Sequence, residues 1–534
     1  MSKILRFLIQ PIRNNALFLL LLIVLTSAIE PYLFIAKSLW ARAFTVIAYN
    51  LIECYAIVLL YDKLPLKIKG LFRGIVYILI VVTSIGSFVS RYAFDMPLNE
   101  DMPGIVAGSN PQETYEFILT FINPTIAACS IFFLLLPIAA EAILHYNRNK
   151  KYSVLSTILS LLLPISIIFV SLRPGEYYLK TFFKSIEYVS HIFQTTPDIK
   201  SNLENIDLNG GVKTPDNLII IIGESFAKNS SQLYGYEKKT NPRLQYRKDS
   251  LGMITFSQVV SPAGNTIPCM KAIMSTWRVS DKDDVKWWEC IALPEIMKKS
   301  GYRTGWISNQ SKKGFWDNIP SKYSELCDTS IFTGNMYRGC FGKSQDEEVI
   351  PLLKSDIENN ATGKDCYFIH LMGQHPGPEN RYPEGFSKFK WEDYPDYPEY
   401  QRWYRFNNDN ATLYNDYVVD GIMNLFEDKE AIIFYFPDHG LDIFEVGEYA
   451  GHGRKAVPES LKAGQKIPFM VYPTKLYREQ YPDKIKEMER CADKPFNTEN
   501  FMYTVMDVIN VSFNGNNDVE KYSLFAGEQK PYVQ

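Results

Sequence analysis

The segment with the densest chemistry is Asp438-His439-Gly440, which closely follows the apolar run Ala431–Phe436. A carboxylate beside an imidazole offers one oxygen and one nitrogen ligand to a divalent cation. The carboxyl edge of a parallel sheet, where such a run would deliver the pair, is also where ligands bind in α/β folds. Taken alone, the pair also fits the N-cap of a helix that follows a strand.

The histidines are concentrated in a few places. The chain has six, and four of them stand in three short motifs. These motifs are His370-Leu-Met-Gly-Gln-His375, Asp438-His439-Gly and Gly451-His452-Gly. The concentration predicts one polar site that is assembled from several segments.

A second carboxylate is predicted at the same edge. The apolar run Leu218–Ile222 ends in Gly223-Glu224-Ser225, so Glu224 would project where the Asp-His pair projects. Ser225 offers a hydroxyl there, but we interpret it as the cap of the following helix rather than as a nucleophile.

The hydroxyl of Thr266 stands at or just before the N-terminus of a predicted helix, in Asn265-Thr-Ile-Pro-Cys. Pro268 fits the first turn of that helix because its missing N–H costs nothing there. The helix dipole and the unpaired N–H groups at this end favour an oxyanion and a bound phosphate. A threonine hydroxyl needs activation as a nucleophile, which a coordinated cation provides. The alternative is that Thr266 is an ordinary N-cap residue.

The elements that would position these residues alternate from residue 217 onward. Strand-like runs lie at 218–222, 304–308, 367–371, 431–436 and 467–472, and helical patterns include 293–299 and 410–426. Continuous apolar runs are typical of strands that are buried on both faces. The pattern predicts an α/β sandwich with a mostly parallel sheet.

The first 172 residues differ in character from the rest. They contain five apolar segments, at 15–36, 42–61, 72–94, 117–144 and 153–172. Each is close to the ~20 residues that a helix needs to cross a bilayer. We therefore predict a transmembrane domain of five helices over 1–172, and the α/β domain over 214–534. Aromatic residues beside lysines predict interfacial linker helices over 173–213. Docking of the linker on the α/β domain is the alternative to an interfacial position.

Charge gives an orientation to these spans. Basic residues cluster before the first segment, between the second and third, and between the fourth and fifth. Five spans would place all three clusters on one face, which the positive-inside rule assigns to the cytoplasm. Residues after 172 would then lie outside the cytoplasm. The net charge of −3 gives no indication of a nucleic-acid partner.

Six of the eight cysteines follow residue 172. An even number of cysteines in an extracytoplasmic domain predicts disulfides. The pairs Cys327–Cys340 and Cys269–Cys290 close the shortest loops and are the ones we predict. Six free thiols are the alternative.

Glu224, Thr266, Asp438 and His439 together resemble the metal site of the phosphoethanolamine transferases of Gram-negative bacteria, in the alkaline phosphatase and sulfatase superfamily. The resemblance covers essentially the whole chain, and the order and spacing of its motifs carry it. Besides the motifs above, they include Leu233-Tyr-Gly-Tyr, Thr240-Asn-Pro and Trp306-Ile-Ser-Asn-Gln310. The short form around Thr266 is similar to branches that modify core sugars or other glycans.

The resemblance implies a role for each matched residue. Thr266 would be the nucleophile that carries phosphoethanolamine, and also the fourth ligand of a Zn²⁺ ion. The other ligands would be Glu224, Asp438 and His439. The phosphoryl group would contact His375 and His452, one of which would protonate a leaving oxygen. Further substrate-binding residues would be Asn309, Gln310 and His370. Ligand chemistry alone does not choose zinc over manganese or magnesium.

The loop Ser109–Glu116 resembles a family segment that helps to hold a lipid headgroup. Asn110, Glu113 and Glu116 would meet the ammonium group of ethanolamine. The alternative is a plain helix start after Pro111, where acidic residues suit the dipole.

The implied function is transfer of phosphoethanolamine from phosphatidylethanolamine to lipopolysaccharide, on lipid A or a core sugar, or to another surface glycan. The enzyme would be a monomeric, multi-pass protein of the inner membrane that contacts its lipids, with the catalytic domain in the periplasm. One alternative is a phosphoglycerol transferase of the same superfamily. Another is a membrane-tethered binding protein with a dead site.

Overall fold

The computed structural model describes residues 3–27, 40–94, 124–147, 152–172, 199, 208–210, 214–281, 285–310, 312, 319–333, 345–375, 377–453, 457–513 and 517–526. The chain forms two compact units. One comprises residues 1–108 and 114–194, and the other comprises residues 109–113 and 195–534. Most of the predicted linker and the loop with Asn110, Glu113 and Glu116 lie outside the described residues.

The first unit consists of apolar helices. Those described are α1 (Lys3–Thr26), α2 (Trp40–Lys63), α3 (Leu66–Phe94), α4 (Pro124–Tyr146) and α5 (Ser153–Leu172). A helix suits such sequences in lipid because it satisfies every backbone polar group within the segment. In α1 the backbone leaves the helical region at Asn15, with φ of −132° and ψ of 28°. The side chain of Asn15 donates to the carbonyl oxygen of Pro11 at 3.0 Å, in the place of a helical N–H.

Four of these helices are long and apolar enough to cross a membrane. The qualifying stretches are Phe7–Thr26, Ala43–Lys63, Leu66–Val89 and Pro124–Tyr146. The apolar stretch described in α5, Ser153–Ile168, is shorter. The predicted apolar helices are thus confirmed, four of them as candidate membrane spans, and the predicted fifth span is not confirmed.

Polar side chains pair between the helices of this unit. Arg73 of α3 donates to both carboxylate oxygens of Glu141 in α4, at 2.7 and 2.9 Å. A third donor of Arg73 reaches the hydroxyl of Tyr61 in α2 at 2.6 Å. Charged groups among apolar helices are costly unless they pair, so these contacts help to select which helices are neighbours.

The second unit alternates strands and helices. Its described strands are β1 (Leu208–Gly210), β2 (Asn217–Gly223), β3 (Ile254–Thr255), β4 (Val259–Val260), β5 (Arg303–Ser308), β6 (Thr329–Phe332), β7 (Asp365–His370), β8 (Ala431–Pro437), β9 (Asp442–Ile443), β10 (Ala450–Gly451), β11 (Met470–Pro473), β12 (Phe496–Asn497) and β13 (Val511–Phe513). Its described α-helices are α6 (Pro242–Ser250), α7 (Thr266–Met274), α8 (Leu293–Lys299), α9 (Ile319–Ser324), α10 (Val349–Asn360), α11 (Glu399–Asn424), α12 (Pro458–Gln465), α13 (Lys475–Gln480), α14 (Pro482–Arg490), α15 (Phe501–Val508) and α16 (Asp518–Tyr522).

Seven of the described strands form one sheet, in the order β3-β11-β8-β2-β7-β5-β6. Strands β8, β2, β7, β5 and β6 run parallel. Strand β11 pairs antiparallel with both β8 and β3. The predicted α/β domain with a mostly parallel sheet is therefore confirmed.

The central strand β2 is buried on both faces. Leu218, Ile220 and Ile222 belong to one hydrophobic core, and Ile219 and Ile221 belong to the core on the opposite face. The alternation follows from the two-residue period of a strand. Full burial of each of these side chains stabilises the fold by roughly 1.5–3 kcal/mol relative to exposure. The strand is thus a firm support for the residues at its carboxyl end.

Two elements differ most from their predicted bounds. The helix predicted from Asn410 begins earlier, at Glu399. Its residues before Tyr404 are exposed or half-buried, and Tyr404 is the first of its residues to be buried. The strand predicted from Ile467 begins at Met470 and runs antiparallel to its neighbour β8.

The predicted Cys269–Cys290 disulfide is wrong, because Cys269 is not in a disulfide. Cys269 lies on the buried side of α7, and its thiol donates a hydrogen bond to the carbonyl oxygen of Ala263, with an S···O distance of 3.3 Å. A criterion of shortest loops ignores the direction of the Cβ bonds, which a disulfide restricts tightly. Cys327 is also a free thiol, and Cys340 lies outside the described residues.

Candidate active site

The site begins where β2 and β8 end side by side. Gly223 and Pro437 are paired in register, so the next residues, Glu224 and Asp438, are neighbours. The Asp438 amide donates to the Gly223 carbonyl oxygen at 2.9 Å, and the Ser225 amide donates to Asp438 Oδ1 at 3.0 Å. The two predicted carboxylates therefore meet at one sheet edge, held by backbone hydrogen bonds.

A group of potential metal ligands surrounds this edge. One ligand atom from each of Glu224, His439 and His452 lies within 4.8 Å of the others. Asp438 lies beside them, with Oδ2 3.7 Å from His439 Nε2. The Nδ1 of His439 is 2.7 Å from the carbonyl oxygen of Gly440. A proton on Nδ1 would donate to that carbonyl, which leaves Nε2 facing the carboxylates as a ligand atom.

Thr266 is the first residue of α7, as the sequence predicts, and Asn265 is the N-cap. Its hydroxyl donates to Glu224 Oε1 at 3.0 Å and lies 3.5 Å from His439 Nε2. The hydroxyl therefore lies at a helix N-terminus, where unpaired N–H groups favour negative charge.

Ser225 is not the cap of a helix. The next helical turn, Lys228–Ser230, has Ala227 at its N-cap. Ser225 instead has φ of +46°, and its hydroxyl donates to Glu224 Oε1 at 3.2 Å. A left-handed conformation is uncommon for a residue other than glycine, and such residues concentrate at functional sites.

The buried charges of the site act strongly on one another. Burial and the charge of Glu224 raise the pKa of Asp438 above its usual range. Burial would lower the pKa of His439, but Asp438 and Glu224 outweigh it and raise that pKa to about 9. Burial would raise the pKa of Glu224, but its hydrogen bond to His439 and the charge of His439 hold that pKa below the ordinary value. The two carboxylates thus favour positive charge between them.

The remaining histidines of the site lie close to this group. The His452 ring is 4.9 Å from that of His439 and 5.9 Å from that of His375, centre to centre. Burial, and then His439 and His375, lower the pKa of His452 well below its usual range. A neutral His452 can accept a hydrogen bond or bind a cation.

Asn309, Gln310 and His370 lie together at the ends of β5 and β7. Asn309 donates to Asp346 Oδ1 at 2.8 Å, and the Gln310 amide nitrogen is 3.4 Å from His370 Nε2. All three side chains are buried, and burial lowers the pKa of His370 to about 4. The structure groups these predicted substrate-binding residues.

Sequence reasoning missed Asp346. Its two oxygens accept the amides of Met372 and Gly373, both at 2.8 Å, and so hold the turn after β7. Gly373 has φ of +51°, and a Cβ there would lie 2.5 Å from the carbonyl oxygen of Glu224. No local signal marks Asp346, because its partners lie in a distant part of the chain.

Gln374 was also missed, although it lies inside a quoted histidine motif. Its backbone amide donates to the Glu224 carbonyl oxygen at 2.9 Å. The side chain is 2% exposed, and neither amide atom has a hydrogen-bond partner among the described residues. Buried polar atoms are normally paired, so this side chain is suited to a ligand.

The residues present fit a divalent metal. They supply carboxylate oxygens and imidazole nitrogens, the ligands that zinc takes in proteins. Asp438 Oδ2 is buried and has no hydrogen-bond partner among the described residues, which leaves a carboxylate oxygen for coordination. A cation would also relieve the repulsion between Asp438 and Glu224.

Residues 216–511, which contain every site residue named in this subsection, match the family profile described as Sulfatase. A curated relative, phosphoethanolamine transferase EptC of Escherichia coli O18:K1:H7, is 25% identical over 307 residues. The match covers 56% of this chain and 52% of that protein, so the chain spans about half the length of this relative. The predicted resemblance to phosphoethanolamine transferases is confirmed.

Two solved structures share the fold. The lipooligosaccharide phosphoethanolamine transferase A (EptA) of Neisseria meningitidis, an integral membrane protein, has a TM-score of 0.66 at 18% identity and covers 93% of this chain and 96% of its own. The C-terminal periplasmic domain of Escherichia coli EptC, in complex with Zn, has a TM-score of 0.55 at 23% identity and covers 61% of this chain and 91% of its own.

Proposed function

The chain belongs to the sulfatase family, and from that premise we propose that it is a metal-dependent phosphoethanolamine transferase anchored in a membrane. One observation carries the proposal. The Thr266 hydroxyl lies at the N-terminus of α7, 3.0 Å from Glu224 Oε1 and 3.5 Å from His439 Nε2. That position joins a nucleophile, a group of metal ligands and an anion-binding helix end. The names of the curated relatives support phosphoethanolamine as the group transferred.

Zinc is the ion that we assign to the site, since the related EptC domain is solved with it. Glu224, Asp438 and His439 would hold it, with Thr266 as a fourth ligand. His452 is an additional candidate, because its ring nitrogen belongs to the group of close ligand atoms. When bound, the cation supplies Lewis-acid chemistry that favours the alkoxide of a threonine hydroxyl.

Thr266 would act twice on phosphorus. In the first step its Oγ1 bonds to the phosphorus of phosphatidylethanolamine, the bond to the glycerol oxygen breaks, and diacylglycerol leaves with a proton. In the second step an acceptor oxygen bonds to the same phosphorus and Thr266 Oγ1 is released. His375 and His452 would contact phosphoryl oxygens, and one would protonate the leaving oxygen. Splitting the transfer lets one site serve two bulky substrates in turn.

The remaining assignments follow from the sequence. The acceptor is lipopolysaccharide, on lipid A or a core sugar, or another surface glycan. Asn110, Glu113 and Glu116 would meet the ethanolamine ammonium. Five spans, with α5 as the last, would place the catalytic unit in the periplasm of an inner-membrane protein.

Thr266→Ala tests the proposal. We expect it to abolish diacylglycerol release and to leave the fold and most zinc binding in place. Wild-type protein incubated with phosphatidylethanolamine should gain a phosphoethanolamine adduct, located at Thr266 by intact-mass and peptide mapping. Thr266→Ser should retain partial activity because it keeps the hydroxyl.

Ser225→Ala is the matched control, since the Ser225 hydroxyl also lies beside Glu224. It should remain active. An adduct on Ser225, or full activity in Thr266→Ala, would show that the nucleophile is misassigned. An adduct with the mass of phosphoglycerol would favour the phosphoglycerol transferase.

A further inference from the structure

A short hairpin lies between two of the site histidines in the chain and contacts an aromatic surface. Its strands β9 and β10 pair Asp442 with Gly451 and Ile443 with Ala450. The first strand follows His439 closely, and the second leads directly to His452. The far end of the hairpin, residues 444–449, is therefore joined to both histidines by a short stretch of chain.

Phe444 stands at the end of β9 in an unusual backbone conformation. Its φ is +57°, which is a true outlier for a bulky side chain. Its amide donates to the Tyr449 carbonyl oxygen at 2.8 Å, and the Tyr449 hydroxyl donates to the His452 carbonyl oxygen at 3.0 Å. These two hydrogen bonds stabilise the strained backbone at Phe444 and connect it, through Tyr449, to His452. In this conformation the Phe444 ring contacts α11.

Aromatic rings from the first turns of α11 meet Phe444 in two layers. The inner layer is structural, because Tyr404 is buried with Leu441 and Ile443. Tyr400 lies further out, 5.8 Å from the Phe444 ring, and is 43% exposed. It stacks with the half-buried Trp403 at 6.3 Å and an interplanar angle of 19°. Trp403 and Phe444 pack against this core but are only partly buried, so part of each ring faces outward with Tyr400.

The side chain of Arg405 contacts the rings of Phe444 and of a further aromatic residue, Tyr397. The Arg405 guanidinium is 4.3 Å from the ring centre of Tyr397 and 5.2 Å from that of Phe444. It forms no ion pair or hydrogen bond with a described residue, and its Nε is buried without a partner there. A guanidinium held by ring faces keeps its donors available for an anion.

We propose that Tyr397, Tyr400, Trp403, Arg405 and Phe444, here called the aromatic face, bind the acceptor as an anionic saccharide. The proposal rests on the proposed function and specifies its second substrate. Flat ring faces suit the apolar C–H faces of sugars, and the Arg405 donors suit a phosphate or carboxylate on the glycan.

A bilayer is the competing occupant, because membrane surfaces also attract aromatic and basic residues. The composition of the face argues against it. Over the described part of residues 377–453, the only exposed large hydrophobic side chains are Tyr397 and Tyr400, and none is aliphatic. Surfaces that insert into lipid combine aromatic residues with exposed aliphatic ones.

The test separates the two half-reactions in the full-length protein, in nanodiscs that contain phosphatidylethanolamine. Adduct formation on Thr266 without acceptor reports the first step. Phosphoethanolamine transfer to added lipopolysaccharide reports the second. For Tyr400→Ala with Trp403→Ala, and for Arg405→Gln, we expect a normal adduct rate and a KM for lipopolysaccharide raised about tenfold, as loss of one strong contact would produce.

Two controls and one probe sharpen the result. Tyr246→Ala and Arg490→Gln remove exposed residues of the same types elsewhere, and both should leave each step unchanged. Tyr400→Phe keeps the ring and should be mild. With lipopolysaccharide dephosphorylated by hydrofluoric acid, binding is measured in place of transfer, because the treatment also removes phosphate acceptor groups. Arg405→Gln should then bind as wild type does if phosphate is the anion; weaker binding by the variant points to a carboxylate.

Each contrary outcome has its own meaning. An unchanged KM for lipopolysaccharide in the face variants overturns the proposal. An equal loss of adduct formation also overturns it, because the face would then serve the lipid donor or the membrane. A wild-type protein that forms no adduct at all contradicts the proposed function instead.

Discussion

Gln374 combines deep burial with an amide group that has no partner among the described residues. Such a group costs about 1–3 kcal/mol in the free protein, which a bound ligand would recover. We expect Gln374→Leu to raise thermal stability by about 1 kcal/mol and to slow transfer about tenfold or more. Differential scanning fluorimetry and the transfer assay measure the two effects. Full activity in the variant would show that the amide serves no ligand.

His370 gives the protein a dependence on pH. Burial lowers its pKa to about 4 from 6.5. Between these values the unfolded chain binds a proton that the folded chain does not, so stability falls as the pH falls through this range. Over this range the folded protein loses about 3 kcal/mol of stability through His370.

We expect wild-type protein to lose more thermal stability between pH 6.5 and 4 than His370→Gln does. His145→Gln, on an exposed position of α4, is the control and should follow wild type. Parallel curves for wild type and His370→Gln would contradict the assignment.

Single residues were predictable where chemistry shows in the local sequence. Glu224, Thr266, Asp438 and His439 each follow a strand or open a helix, and the structure brings them together. Asp346 was not predictable, because an isolated acid gains its meaning only from the amides of Met372 and Gly373, which the fold brings to it.

At the scale of elements, the turn after β7 determines how closely the site is packed. Gly373 has φ of +51°, and a Cβ would lie 2.5 Å from the Glu224 carbonyl oxygen and 2.7 Å from its nitrogen. Gly373→Ala therefore adds about 1–2 kcal/mol of backbone strain to a steric clash. We expect lower thermal stability and weaker zinc binding, since Glu224 must shift.

Gly385→Ala is the control for this prediction. Apart from its chain neighbours, no heavy atom of the described residues lies within 4 Å of a Cβ at Gly385. The substitution should change neither stability nor zinc binding, both measured as for Gly373→Ala. Equal behaviour of the two variants would mean that the turn is free to adjust.

Elements were predictable in type more than in extent or direction. The apolar runs that form β2 and β8 read clearly as buried strands, and their parallel pairing agrees. The sequence of β11 does not indicate that the strand is antiparallel, because a fully buried strand has a continuous apolar sequence in either direction. The start of α11 was missed because its aromatic and charged first turns lack the periodicity of a core helix.

At the scale of the whole molecule, the two units have separate cores and all described candidate ligands lie in the second. We expect two thermal transitions in detergent, of which a zinc chelator lowers only one. A ligand at 100 times its Kd stabilises by about 2.7 kcal/mol, so the shift should be readily measured. Asp438→Asn should make that transition much less sensitive to the chelator. A chelator that shifts both transitions equally, or neither, would contradict the assignment of metal to the second unit.

The order of strands in the sheet has a consequence for the time course of synthesis. Asn217 of β2 pairs with Asp365 on one side and with Ala431 on the other, both far downstream. The isoleucine-rich strand that supports the active site is thus made early and remains an uncovered edge until its neighbours emerge. Uncovered strands of this kind are prone to aggregate, and long-range pairing is slow. We expect chains truncated after residue 370 to remain protease-sensitive and chains extended past residue 473 to become resistant. Between the synthesis of β2 and that of β8, the nascent chain therefore depends on factors that prevent β2 from pairing with a wrong strand.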